Sequence, residues 1–256
     1  MHALLLLVHS LAVAGEIEGS VVGDITYEGG LDETATRYVK GKPVSIKHSG
    51  GNVVVRCIDT EKLSARLPYV VTGSDNGALE STGNSIRLQA VDDGKGGGVV
   101  GTQIPSKRSG VSSIDVPLTV NIPVGASAIS VSQSGSGWVQ VQGCGGAVKI
   151  SAGSGGAYAS GQYTSASISA AGGDVKLVQE GGATLTGSTS ITSAGAARVV
   201  LSTAQGGKLV AKGAQVAVQQ AVLGGSQSET SVSGDFGVGG PTISISAKGN
   251  VEVSAQ

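Results

Sequence analysis

The sequence predicts an all-β fold whose second half is a parallel β-solenoid, and three observations predict it. Short runs of alternating apolar and polar residues recur along the chain, from about residue 128 they recur every nine residues, and paired glycines punctuate them. The 256 residues include 43 glycines but only one Trp, five Tyr and one Phe, so the core cannot be built around large rings. An apolar fraction of 39% and a mean hydropathy of +0.18 argue against disorder, and the absence of a triplet glycine period argues against collagen.

The chain opens on an apolar run that ends in Ala12-Val13-Ala14, a small-residue pattern of the kind signal peptidases accept. Residues 1–14 therefore read as a signal peptide, with Gly15 the first mature residue. No cysteine sits at the cleavage site, and no second apolar stretch of spanning length follows, so the sequence predicts an exported chain without a transmembrane segment. Its destination reads as periplasmic, cell-surface or extracellular.

Residues 15–127 form an expected β-rich N-terminal capping region. Candidate strands run over 43–48, 52–58, 67–73, 85–91 and 117–124, separated by Ser74-Asp75-Asn76-Gly77 and by the glycine loop 93–98. Their spacing is irregular. Residues 16–127 hold 13 acidic and 11 basic residues, against 5 and 6 in residues 128–256. A polar, irregular segment is what the exposed end of a stack of strands needs.

Residues 128–256 form the repeat region. Candidate strands run over 128–133, 138–143, 147–153, 166–173, 174–182, 183–187, 197–202, 208–213, 215–219, 242–249 and 250–255. Val139, Val148, Ala157, Ala166 and Val175 recur at the nine-residue interval, followed two positions later by Val141, Ile150, Ala159, Ile168 and Leu177. A unit that short cannot bury an apolar face alone, so copies must stack and share one core. Small inward side chains suit a narrow coil that large aromatics would not fit. An antiparallel sandwich is the weaker alternative, because hairpin loops rarely keep so regular a length. The last strand, 250–256, has no cap after it in the sequence and reads as a template for another copy of the chain.

A net charge of −1 and a pI of about 6.3 give no electrostatic footprint for nucleic acid, and Lys107-Arg108 reads as a solvated loop. The inventory for catalysis is short. His2 and His9 lie in the signal segment, which leaves His48 as the one histidine for a nucleophilic triad, and no nucleophile-elbow motif accompanies it. The carboxylates of the repeat region, Asp174, Glu180, Glu229, Asp235 and Glu252, do not fall at matching positions of adjacent units, as sugar hydrolysis by paired acids would require. No zinc-type spacing exists, Gly94-Lys95-Gly96 lacks the P-loop pattern, and Asp92-Asp93 reads as a turn rather than a cation site. No cofactor is expected.

Two sets of residues remain candidates. Cys57 and Cys144 are candidates for a disulfide in an oxidising compartment; two buried free thiols are the alternative, and sequence separation does not decide between them. Trp138, Tyr158 and Tyr163 are candidate ligand-contact aromatics, which stack on a sugar if they face outward and pack at corners if they do not.

The run Leu118 to Ser127, followed by Ile129-Ser130-Val131-Ser132 and Val139-Gln140-Val141-Gln142-Gly143, resembles the bacterial putative-adhesin family of β-solenoid domains. The resemblance extends over about residues 38–220, through Gly41 to Ile46 and Gly51 to Val55, though this chain has more alanine and fewer aspartates at its turns. It implies a right-handed solenoid in an exported or envelope protein and brings no catalytic residues. The expected function is thus a non-catalytic, adhesin-like protein that presents a flat Ser/Thr-rich face to a polysaccharide, a protein or a copy of itself. A self-assembling filament subunit and a polysaccharide-active enzyme are the alternatives.

Overall fold

Strand after strand in this chain places an apolar residue on one side and a polar one on the other, and the computed structural model shows what that alternation builds. It describes residues 24–35, 37–219 and 223–256; the expected signal peptide lies outside them. In chain order the first strands are β1 (Ile25–Ala35), β2 (Val44–His48), β3 (Val53–Ile58) and β4 (Leu63–Gly73), followed by a helix, α1 (Asn76–Gly83). Next come β5 (Arg87–Asp92), β6 (Gly98–Gln103), β7 (Val111–Asp115), β8 (Leu118–Pro123) and β9 (Ala128–Gln133). Two long strands, β10 (Val139–Ala152) and β11 (Ala157–Ala170), lead to β12 (Val175–Gln179), β13 (Thr189–Ser193) and β14 (Ala197–Leu201). The chain ends with β15 (Gly207–Lys212), β16 (Val216–Val218), β17 (Leu223–Gln227), β18 (Ser231–Phe236), β19 (Thr242–Ala247) and β20 (Val251–Ala255).

The fold is all-β, with one large mixed sheet. Its middle consists of two parallel ladders. In the first, β6, β2, β9, the second half of β10, the second half of β11, β13, β19 and β15 follow one another in parallel register. In the second the order is β8, β3, the first half of β10, the first half of β11, β12, β14, β20 and β16. Both β10 and β11 serve both ladders, bending at register shifts after Gln142 and Gly146.

Antiparallel strands flank the parallel ones. On one side β5 pairs β6, while β4 pairs β8, β7 and β1. On the other, β18 pairs β15 and β17 pairs β18. The sheet is therefore mixed, and the antiparallel β15–β18 and β17–β18 pairs lie within residues 128–256, where the sequence suggested a parallel solenoid. The boundary expected at residue 127/128 falls within the ladders, since β2 and β3 from before it pair with β9 and β10 from after it.

The pairing also explains the nine-residue interval. Val139 pairs with Ala157 and Ala157 with Val175, eighteen residues apart, while Ala166, nine residues after Ala157, belongs to the other ladder. Nine residues step from one ladder to the other, and two such steps return the chain to the same ladder.

The inward columns are apolar and fully buried. Ile46, Val131, Ile150, Ile168, Ile191 and Ile245 align on the first ladder, and Val53, Val139, Ala157, Val175, Ala197 and Val251 on the second. Each buried Val or Ile contributes about 1.5–3 kcal/mol, so aligned columns replace the large aromatic core the composition lacks. Glycines make the corners possible. A Cβ on Gly135 would collide with the backbone of Gly50, and one on Gly155 with that of Gly137, so successive rungs approach closely only because both lack side chains.

Three other expectations are corrected. Residues 183–187 form no strand; Leu185 is buried, but its N–H and C=O are taken by the Gln205 side chain (2.6 and 3.3 Å), which stands in for a neighbouring strand. The turn expected at 74–77 starts α1 instead, because Asp75 caps it by accepting from the Ala78 N–H at 3.0 Å. The final strand β20 is no free edge, since β14 and β16 pair with its two sides. The sequence could not show that the chain returns to insert its last rung between earlier ones.

Candidate binding surface

Period-two alternation that buries isoleucines on the first ladder must turn the residues between them outward. The outward residues are mostly hydroxyls. In one column Lys47, Ser132, Ser151, Ser169, Thr192, Ser246 and Lys212 are paired in succession, all exposed. In the neighbouring column Ser45, Ser130, Lys149, Ser167, Ser190 and Ser244 follow the same rungs. Strand pairing fixes the spacing at about 4.8 Å between rungs and about 6.6 Å between columns. Among the described residues, none of the hydroxyls of Ser132, Ser151, Ser169, Thr192 and Ser246 hydrogen-bonds another protein group. The array thus presents donors and acceptors together, held in register by the core behind it.

A groove of about 390 Å³ runs across the beginnings of the same strands. Val44, Ile129, Val148 and Ala166 form its apolar part, and Ser130 and Lys149 also line it. This surface was predicted only as a Ser/Thr-rich face. Its residues were recoverable from the triplets Ser130-Val131-Ser132, Ser167-Ile168-Ser169, Ser190-Ile191-Thr192 and Ser244-Ile245-Ser246, each with one apolar residue between two hydroxyls.

The second ladder faces outward with different chemistry. Gln140, Tyr158, Lys176, Arg198 and Glu252 form one column there, and Arg198 and Glu252 are 3.5 Å apart. Trp138 and Tyr158, two of the candidate aromatics, line one pocket of about 350 Å³. Tyr163 does not join them. It is fully buried where β11 bends between ladders, with its hydroxyl within reach of the Ser160 and Val141 carbonyls (3.0 and 3.2 Å), and burial pushes its phenol well above the usual range. Gln179 accepts from the Tyr163 N–H and donates to its carbonyl, completing the corner. A large ring therefore fits this core at a bend, contrary to expectation.

Cys57 on β3 and Cys144 in the bend of β10 form a disulfide with a Cα–Cα distance of 5.0 Å. It ties two neighbouring strands of the second ladder where β10 leaves for the first. His48 is buried at the end of β2, with Nδ1 2.8 Å from Thr102 Oγ1 and Nε2 without a partner among the described residues. Burial lowers its pKa to about 4, so the ring is a neutral core group. Asp92 and Asp93 close turns, accepting from the N–H groups of Gly94, Lys95 and Gly97, and the Lys95 N–H holds the Asp93 carboxyl below the usual range. Lys107 and Arg108 are exposed and bond the Ser112 carbonyl and the Ser81 hydroxyl. Among the described residues no three of His, Cys, Asp and Glu group as metal ligands do, and no helix is long and apolar enough to cross a membrane.

No family model matches the chain, and a search of curated proteins returns no match. Solved structures are similar in outline. A putative cell adhesion protein from Clostridium sporogenes is 13% identical with a TM-score of 0.47, over 89% of this chain and 100% of that one. A putative adhesin from Bacteroides fragilis is 15% identical with a TM-score of 0.42, over 89% and 97%. A putative lipid binding protein from Parabacteroides distasonis is 13% identical with a TM-score of 0.35, over 88% and 96%. At these levels of similarity, the functional reading rests on this chain's own geometry.

Proposed function

We propose that this chain is an exported, adhesin-like β-solenoid that binds a partner surface without transforming it. In this reading the two parallel ladders are opposite walls of one coil with two strands per turn, and the antiparallel strands beside them close its ends. The hydroxyl array of the first wall is the contact, and a partner lies across the rungs along the adjacent groove. One observation carries the proposal: Ser132, Ser151, Ser169, Thr192 and Ser246 form an unbroken row of exposed hydroxyls with no bonds to other described protein groups. Many weak hydrogen bonds at a fixed spacing suit a repetitive partner such as a polysaccharide.

Two further observations support the reading. The Cys57–Cys144 disulfide suits an oxidising compartment. Two carboxylates of the repeat region have partners within the fold, Glu252 beside Arg198 and Asp174 bonded to the Ala196 N–H. Sedimentation with a panel of insoluble polysaccharides and cell envelopes, coupled to assays for new reducing ends and unsaturated products, tests the proposal. Retention without product is expected; release of either product would overturn it.

A further inference from the structure

The second wall holds a pocket that the hydroxyl face does not use, and Gly156 is among the residues that line it. Trp138, Gly156 and Asp174 stand immediately before Val139, Ala157 and Val175, which pair across three successive rungs. Two residues on, Gln140, Tyr158 and Lys176 form the next outward column. The middle rung of the first column carries only a glycine. The backbones of Trp138 and Asp174 thus lie two strand spacings, about 9–10 Å, apart, with Gly156 between them. The pocket is a shallow, open depression of about 350 Å³.

Each wall of this pocket has its own chemistry. Trp138 is 41% exposed, yet its backbone is fixed at both groups: its N–H donates to Asn52 Oδ1 at 3.1 Å, and its carbonyl accepts from the Val53 N–H at 2.9 Å. The Lys176 ammonium stands 5.3 Å from the centre of the Tyr158 ring and forms no salt bridge with a described carboxylate. Asp174 uses Oδ1 to accept from the Ala196 N–H at 2.7 Å, which orients the carboxylate and leaves Oδ2 to accept from a hydroxyl. An indole face takes the C–H face of a pyranose ring, a carboxylate and the Gln140 amide take ring hydroxyls, and an ammonium with no carboxylate partner takes an anion.

We infer that this pocket binds a uronic acid residue of an acidic polysaccharide, its ring stacked on Trp138 and its carboxylate on Lys176. The site is separate from the hydroxyl face and stands or falls independently of it.

Trp138 is the chain's only tryptophan, so its emission reports this pocket alone. The full chain is titrated with a short oligogalacturonate and with a neutral oligoglucan of the same length, and each titration is repeated by calorimetry. A saturable change with the acidic ligand is expected, with binding of the neutral one at least about tenfold weaker. Lys176→Gln, checked for an unchanged circular-dichroism spectrum, weakens the acidic ligand at least about fivefold and leaves the neutral one unaltered. Tyr158→Ala weakens both. A chain stripped of the hydroxyl array titrates like the parent. The inference is overturned if the acidic ligand gives neither an emission change nor heat, if both ligands bind equally, or if Lys176→Gln binds like the parent.

Discussion

The two parallel ladders share one inward code and carry two outward ones. Inside, both are columns of Val, Ile, Leu and Ala; outside, the first repeats serine, threonine and lysine, while the second mixes Gln, Tyr, Lys, Arg and Glu in one column and has Val178 beside Val200 in the next. The difference teaches that stacking constrains only every second residue. The other half of each strand is free to carry chemistry at a spacing the core dictates.

The second ladder alone carries a covalent tie, so the largest effect sharpens the contrast there. Closing an 87-residue separation constrains the unfolded chain by about 4–5 kcal/mol on the loop-entropy account. Cys57→Ser with Cys144→Ser is expected to lower stability by that order, measured by denaturant unfolding under non-reducing conditions. Equal stability would mean that the bridge is dispensable to the second ladder.

Inward and outward positions of one strand provide the next contrast. Ile168→Ala is expected to cost about 2–5 kcal/mol, because the columns on either side hold the cavity open. Ser169→Ala, one residue on, is expected to change stability by less than about 0.5 kcal/mol. Comparable losses at both positions would break the division between core and display.

The first ladder carries a buried imidazole at the end of β2. His48 has a pKa of about 4 when folded, below the usual 6.5, so between those values the unfolded chain binds a proton that the folded one refuses. Stability is therefore full above pH 6.5, falls as the pH drops toward 4, and levels off below; the total is up to roughly 3 kcal/mol. His48→Gln should flatten unfolding free energy across that window, and an unchanged slope would assign it to other groups.

The smallest effect is at the surface of the second ladder. Arg198→Ala is expected to cost less than about 1 kcal/mol, because its partner Glu252 is also partly exposed. A double-mutant cycle with Glu252→Ala measures it.

Much of this was legible because period two is a local property. The strands at Val44–His48, Val53–Ile58, Leu118–Pro123 and Ala128–Gln133 stand where alternation placed them, and the glycine corners where glycine pairs did. What alternation cannot encode is the identity of a strand's neighbour. The insertion of β19 and β20 between earlier rungs, the assignment of alternate nine-residue units to different ladders and the antiparallel ends are long-range pairings. Leu185 shows a subtler limit, since a glutamine twenty residues away takes the backbone bonds that a strand would have taken. The candidate surface was legible in kind, as serine and threonine, but the row from Ser132 to Ser246 emerges only once the register is known. Trp138 and Tyr158 could not be separated from Tyr163 by sequence, because aromatics at a display position and at a buried bend look alike there.

One comparison of binding tests the first wall as the contact surface most directly. Ser132→Ala, Ser151→Ala, Ser169→Ala, Thr192→Val and Ser246→Ala together remove the row of hydroxyls and keep the shape of the first wall. The combined variant is expected to unfold at nearly the parent's denaturant midpoint and to lose retention on the polysaccharide or envelope that the parent binds. Full retention by a folded variant would contradict the assignment of that wall as the contact surface.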